Sequence, residues 1–232
     1  MQANPGNIAS IKWSVYGKIL EITRWPTTNA PIQKIRFNYD AQGNRIGKIV
    51  ELNSGAKSYI WYVRDAQGNM MATYEASGSS SNLSDLDLSL TERPLYGGSR
   101  LGIYQQDVNV DGGPADMSDS LAVKYYRGYR HYELSNHLGN VLATITDKKK
   151  GVDENSNGIV DYYDADVTSA QDYYPFGMVM PGRNWSSSTY RYGFNGKEND
   201  NEIKGTGNQQ DYGMRIYDPR LGRFLSVDPF NY

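Results

Sequence analysis

The sequence lacks cysteine altogether, and it contains two histidines and no long apolar run. Without cysteine there are no disulfides, no thiolate nucleophiles and no zinc sites built on thiolates. His131 and His137 provide little material for a histidine metal site or a catalytic triad. No stretch reaches the roughly 18 apolar residues of a membrane helix, and residues 1–6 lack the basic and apolar regions of a signal peptide. Few of the common routes to catalysis or membrane insertion therefore apply.

The chain also lacks an excess of positive charge. It carries 24 Lys and Arg against 26 Asp and Glu, for a net charge of −2. Nucleic-acid binding needs a basic stripe or patch, and the basic residues here are scattered. The run Lys148–Lys150 is interpreted as a solvated loop. We therefore expect no nucleic-acid partner.

Aromatic residues and glycine are abundant, with 20 Tyr and 24 Gly. Three stretches share one pattern, in which Asp or Asn stands three residues before a Gly that is followed by Asn. These stretches are 40–44, 65–69 and 136–140. Asp or Asn at the first position favours a type I turn, and Gly at the fourth takes the left-handed conformation that rejoins the next strand. Apolar alternation flanks each turn, so the pattern predicts antiparallel hairpin repeats that stack into one continuous sheet.

The turn pattern resembles the YD repeat of Rhs proteins, Tc-toxin C components and teneurins. The densest match is DYGMRIYDPRLGRFLSVDP at residues 211–229, which closely resembles the Rhs repeat-associated core. Residues 172–178 and 192–198 resemble the stretches that precede that core. The style is that of bacterial, Bacteroidetes-like members, and the resemblance is tight from about residue 125 onward.

This resemblance implies an all-β fold in which hairpin repeats form a curled sheet, part of a hollow shell with the Rhs core at its C-terminal end. It divides the chain into YD-repeat hairpins with Ser-rich and Asp-rich insertions at 1–124, and the core at 125–232 with an acidic insertion at 147–171, as one continuous unit. The implied role is that of a fragment of a secreted or cell-surface bacterial shell, which encloses or delivers a C-terminal toxin. Its expected partners are the rest of the shell and that cargo.

The resemblance also offers an alternative function, enzymatic cleavage of the protein's own chain. In many members the core cuts the chain beyond itself in an aspartic-protease-like reaction, and Arg215 and Asp228 match the Arg and Asp of that reaction. Asp218 lies in the same motif. A carboxylate near a guanidinium stays ionised and can activate water, but a turn residue or a surface ion pair explains the same residues. The family's downstream Asp-x-x-Gly-Leu segment has no counterpart, so we expect no self-cleavage within residues 1–232.

A third possible function is adhesion. Exposed Tyr and Trp side chains on a β surface would suit cell-surface glycans. Binding to glycans that depends on exposed aromatic residues would distinguish this function from the other two.

An acidic stretch at residues 153–164 follows the spacing of a calcium loop. Side-chain oxygens and one backbone carbonyl would be its ligands, and Gly158 would allow the sharp bend between them. The candidate ligands are Asp153, Asn155, Asn157, Ile159, Asp161 and Asp164. Asp at the last position and two neutral Asn ligands indicate a weak site that would brace the loop. A second stretch, 107–113, begins in the same way but is better explained as a polar turn.

Overall fold

One antiparallel sheet of twelve strands dominates the computed structural model, which describes residues 8–25, 31–78, 85–110, 126–186 and 190–228. Each strand of this sheet pairs with its neighbours in the chain, so the strand order follows the sequence from one edge of the sheet to the other. The strands are β1 Ile8–Trp13, β2 Ile19–Arg24, β3 Ile32–Tyr39, β4 Arg45–Leu52, β5 Lys57–Arg64, β6 Met70–Gly78, β7 Ser89–Tyr96, β8 Arg100–Asn109, β9 Arg130–Ser135, β10 Val141–Val152, β11 Tyr162–Tyr173 and β12 Val179–Ser186. The predicted all-β fold with a curled sheet is confirmed.

A five-residue turn of one geometry recurs along the sheet. In each turn the first residue donates its N–H to the carbonyl of the fifth, and the fourth, a glycine, donates to the carbonyl of the first. In the three predicted turns these glycines have φ of +82° (Gly43), +87° (Gly68) and +80° (Gly139), as the left-handed position requires. The same geometry also begins at Ser14, Leu52 and Tyr174.

The predicted insertion at 147–171 is a long extension of one hairpin. Its residues form the distal part of β10, the loop that follows, and most of β11. Register shifts near Ile145 accommodate the extension. The predicted boundary between residues 124 and 125 lies outside the described residues, so it stays a prediction.

Residues 190–228, which we call the C-terminal segment, fold back onto one face of the large sheet. The segment contains a second sheet of four short strands and one turn of helix. These elements are β13 Glu198–Asn199, α1 Asn201–Lys204, β14 Gln210–Asp211, β15 Ile216–Asp218 and β16 Arg223–Phe224. Within the described residues no helix is long and apolar enough to cross a membrane.

The covered face, which we call the inner face, carries two apolar clusters. In the first, Ile203 and Ile216 of the C-terminal segment pack against residues of β2 to β4 that include Ile22 and Ile35. In the second, Tyr190 and Tyr192 pack against residues of β5, β6, β8 and β10; these are Ile60, Tyr62, Met70, Ile103 and Val141. Burial of these side chains drives the docking of the C-terminal segment. The sites described below lie on or beside this interface.

Candidate functional site

The inner face carries buried cations that pair with carboxylates of the C-terminal segment. Arg45, the first residue of β4, donates two hydrogen bonds to Asp200, at 2.7 and 2.8 Å. Its Nε lies 3.2 Å from Oδ2 of Asp211. The guanidinium stacks on the ring of Phe37 at 4.3 Å from the ring centre, and the Arg45 and Asp200 side chains are fully buried. One guanidinium thus joins β4 to two carboxylates far along the chain.

The charge states of this triad follow from burial and mutual attraction. Burial disfavours a charged Arg45, but Asp200 and Asp211 outweigh it and hold the pKa of Arg45 above its ordinary value. Burial likewise opposes ionisation of Asp200, and Arg45 outweighs it, so the pKa of Asp200 is lowered. For Asp211 burial prevails over Arg45 and, with the nearby Asp200, raises the pKa. The arrangement therefore holds one firmly ionised carboxylate and one that takes up a proton more readily.

A second guanidinium, 14% exposed, comes from the C-terminal segment itself. Arg191 Nη2 lies 3.0 Å from Glu75 on β6 and 3.1 Å from Glu92 on β7. Its Nη1 lies 3.6 Å from Glu198 of β13. Glu198 also accepts a hydrogen bond of 2.9 Å from the Tyr62 hydroxyl on β5. Arg191 is thereby fixed to three neighbouring strands of the sheet.

Further contacts fix both ends of the segment. Arg100 of β8 donates to the carbonyl of Gly196 at 2.7 Å, and its guanidinium lies 3.7 Å from the centre of the Tyr192 ring. The Lys48 ammonium lies 2.8 Å from Glu202. Lys18 donates to the carbonyl of Gly213. The contacts run from the turn before β2 to β8, so the segment cannot shift along the sheet without breaking several of them.

Arg215 and Asp228, predicted from the family resemblance, lie together in the structure. Arg215 Nη2 is 3.2 Å from Asp228 Oδ2, and both side chains are about one-third exposed (28% and 33%). The Arg215 guanidinium also stacks on the ring of Phe224, 3.8 Å from its centre. A solvent-accessible carboxylate oriented by a guanidinium is chemically able to activate water.

Asp218, the third predicted residue, contacts a different set of cations. It lies 2.8 Å from the Lys204 ammonium and accepts two hydrogen bonds from the Arg220 guanidinium, at 3.0 and 2.7 Å. Burial raises its pKa, but Arg220 and Lys204 outweigh this and lower the pKa to about 2. A carboxylate held ionised in this way suits an ion-pair role in the turn between β15 and β16, and its part in cleavage stays a prediction.

The acidic loop lies at the end of the long β10–β11 hairpin. Asp153 accepts hydrogen bonds from the backbone N–H groups of Asn157 (3.1 Å) and Gly158 (2.7 Å). Asp161 accepts one from the N–H of Glu154 at 2.9 Å. Asp164 lies within β11, paired in register with Lys150. No group of three acidic or histidine side chains is arranged around a metal position in the described part of the chain, and calcium binding stays a prediction.

The second acidic stretch, 107–113, can be followed only in part. Asp107 and Asn109 lie at the end of β8. The rest of this stretch, from residue 111, lies outside the described residues.

The buried ion pairs of the inner face were not predicted from the sequence. Simple alternation along β4 would place Arg45 on the face opposite Lys48 and Val50. It lies on the inner face because the register shift that sets it opposite Tyr39 turns it inward. Nothing local distinguishes Asp200, Asp211 or Arg191 from surface charges, since their partners lie far away in the chain.

Comparisons with known proteins agree with this fold. No protein-family model matches the chain. Salivary gland surface protein 1 of Aedes aegypti is 26% identical over 202 residues, which are 84% of this chain and 5% of that protein. Toxin subunit YenC1 of Yersinia entomophaga is 24% identical over 235 residues, or 98% of this chain and 20% of that subunit.

A solved structure has a similar fold. The crystal structure of TcdB2-TccC3-Cdc42 matches with a TM-score of 0.63 at 16% sequence identity, over 96% of this chain and 9% of that chain. The chain thus has the fold of one segment of that much longer chain, and it spans a small part of each of these three proteins.

Proposed function

We propose that this chain is part of a β-sheet shell of the Rhs and Tc-toxin type, whose curled sheet and inward-packed C-terminal segment help to enclose a polypeptide cargo. The expected partners are the remaining strands of the shell and a toxin that follows the segment. We further propose that the assembled protein is exported from a bacterium.

The observation that carries this proposal is the fixing of the C-terminal segment on the inner face. Removing one partner of a buried ion pair costs about 3–5 kcal/mol. Arg45 and Arg191 each anchor such a cluster between the sheet and the segment. We infer that a segment held this firmly acts as a fixed layer on the inner face, and that chain following it would continue from that face. Leu225, near its end, still packs against the first apolar cluster.

The comparisons support the same role. YenC1 is named a toxin subunit, and its similarity extends over 98% of this chain. The resemblance of residues 211–229 to the Rhs repeat-associated core points in the same direction. An enzyme of metabolism would instead need a cleft with converging catalytic groups, whereas Arg45 and Lys48, which hold the segment, are engaged in ion pairs.

Protease protection tests the proposal. One unstructured peptide with several protease sites is fused after Tyr232, and in a matched protein the same peptide is fused before Met1. We expect the C-terminal peptide to be cleaved about tenfold more slowly, because the inner face shields it. The protection should disappear in Asp200→Asn, which loosens the segment. Equal cleavage rates for the two fusions would contradict an enclosing role.

Self-processing is a second candidate function, and the contact between Arg215 and Asp228 favours it. The test adds a downstream segment of the Asp-x-x-Gly-Leu type and follows the size of the chain over time. A cut in that segment, lost in both Arg215→Ala and Asp228→Asn but retained in Arg223→Ala, would establish the activity. An intact chain, or a cut that survives Asp228→Asn, would exclude this role.

A further inference from the structure

A cavity of about 450 Å³ lies beside the Arg191 cluster, on the sheet between β6 and β9. Strand residues, the turn before β9 and one residue of the C-terminal segment form its walls. The residues that matter for its chemistry are Glu75, Glu92, Asp107, Tyr129, His131 and Arg191. This volume lies within the range of small-ligand sites.

The walls of the cavity carry more negative than positive charge. Arg191 is the guanidinium shared by Glu75, Glu92 and Glu198, so one positive charge faces three carboxylates. Asp107 adds a further carboxylate to the wall. Burial lowers the pKa of His131, which is therefore neutral at pH 7 and adds no positive charge. The cluster is short of cations.

Glu92 shows the shortage at the level of single atoms. Its side chain is 5% exposed, and its Oε1 lies 3.1 Å from Arg191. Its Oε2 is buried and has no hydrogen-bond partner. Burial, only partly offset by Arg191, raises the pKa of Glu92. A buried carboxylate oxygen without a donor is costly, and a positive charge in the adjoining cavity would offset part of that cost although the atom itself is closed to solvent.

We propose that this cavity binds an organic cation, namely the guanidinium or primary ammonium group of an arginine or lysine side chain, through Glu92 and Glu75. The described residues contain no converging set of acidic and histidine ligands, which a metal ion would need. Tyr129, 44% exposed, offers an aromatic face of the kind on which organic cations stack. The site stands on these contacts alone and does not depend on the shell function.

Single amino acids with blocked, uncharged termini serve as probes of the site in the chain of residues 1–232. N-acetyl-arginine methylamide and N-acetyl-lysine methylamide present the cations, and N-acetyl-citrulline methylamide is the neutral match for the first. Titrations are followed by amide chemical shifts in NMR spectra. We expect both cationic probes to shift residues around Glu92, and citrulline to bind about tenfold more weakly or not at all. Equal binding by citrulline, or no shifts with either cation, would overturn the proposal.

Variants locate the binding. Glu92→Gln keeps the shape of the side chain, and we expect it to weaken arginine binding by about tenfold. Glu75→Gln, whose side chain is 35% exposed, should fold normally and also weaken binding. Glu51→Gln is the matched control, because Glu51 pairs with Arg36 outside the cavity. Unchanged binding in both cavity variants, or equal weakening in the control, would contradict the proposal, whereas the protease experiment would be unaffected by either result.

Discussion

Arg45 and Asp200 form a doubly hydrogen-bonded ion pair in which neither side chain is exposed, although 155 residues separate them in the chain. Arg45 immediately follows the first predicted turn, and Asp200 is the residue before α1. The pair therefore links the regular hairpin part of the protein to the segment that covers it. Its strength decides whether sheet and segment unfold as one unit.

Replacement of Asp200 should be among the most damaging changes in this protein. Asp200→Asn leaves the buried Arg45 with Asp211 as its remaining carboxylate, and we expect a loss of about 3–5 kcal/mol in the free energy of unfolding. Urea denaturation followed by circular dichroism measures it. Lys12→Met is the control, since Lys12 pairs with Glu21 at the surface with 69% of its side chain exposed, and it should change stability by less than about 1 kcal/mol. Equal effects of the two changes would show that the buried pair contributes little.

The ion cluster of Asp218 predicts an acid-dependent contribution to stability. Its pKa is about 2 in the folded chain, against about 3.9 in an unfolded one. The lowered pKa stabilises the fold above about pH 4, and this stabilisation disappears as the pH falls through about 2. Because Lys204 and Arg220 are partly exposed, we expect about 1–2 kcal/mol at pH 7.

Urea unfolding of Asp218→Asn between pH 2 and pH 7 measures this contribution. The difference from the unaltered protein should shrink steadily below about pH 4. The exposed Asp87, replaced by Asn, provides the comparison at each pH. A difference for Asp218→Asn that stays constant with pH would mean that the carboxylate charge is not what stabilises this turn.

Gly102 marks a close approach of two strands. A Cβ atom built there would lie 1.9 Å from the carbonyl oxygen of His131, which is backbone and cannot rotate away. Gly102→Ala should therefore separate β8 from β9 and destabilise the protein by about 3 kcal/mol or more. Gly98→Ala, where a Cβ meets no atom within 4 Å, should change the melting temperature little. Similar melting temperatures for the two variants would contradict the close contact.

Calcium is predicted to brace the acidic loop. A site with a dissociation constant of about 10⁻⁴–10⁻³ M, combined with about 10 mM calcium, would stabilise the fold by roughly 1–3 kcal/mol. We expect the melting temperature to rise by a few degrees with calcium and to return with chelator. The rise should vanish in Asp153→Asn and Asp161→Asn and persist in Asp172→Asn. A melting temperature indifferent to calcium would leave the loop stabilised by its own hydrogen bonds alone.

The turns were predictable because their chemistry is local. Asp40 and Asp65 each accept a hydrogen bond from the N–H four residues on, at 2.7 and 2.8 Å, so five consecutive residues determine the geometry. The equivalent turn at Ser14 was not predicted, because a hydroxyl takes the place of the carboxylate. There the Ser14 Oγ accepts from the N–H of Lys18 at 3.0 Å.

The inner face was harder to predict because it depends on distant partners. Simple alternation places Ile46 on the same face as Lys48 and Val50. A register shift between Asn38 and Tyr39 turns Ile46 outward, where it is 40% exposed. Family resemblance singled out Arg215 and Asp228, which lie in contact in the structure, whereas their part in cleavage stays a prediction.

The charged inner face also has a consequence for the order in which the protein is made. Synthesis produces Arg45 and Lys48 long before Asp200 and Glu202, their partners in the finished protein. Until those partners emerge from the ribosome, the inner face of the growing sheet is exposed to solvent and carries hydrated cationic side chains. A wholly apolar face would invite aggregation during the same interval. Ion pairs that hold the finished protein together can thus also keep the unfinished chain soluble.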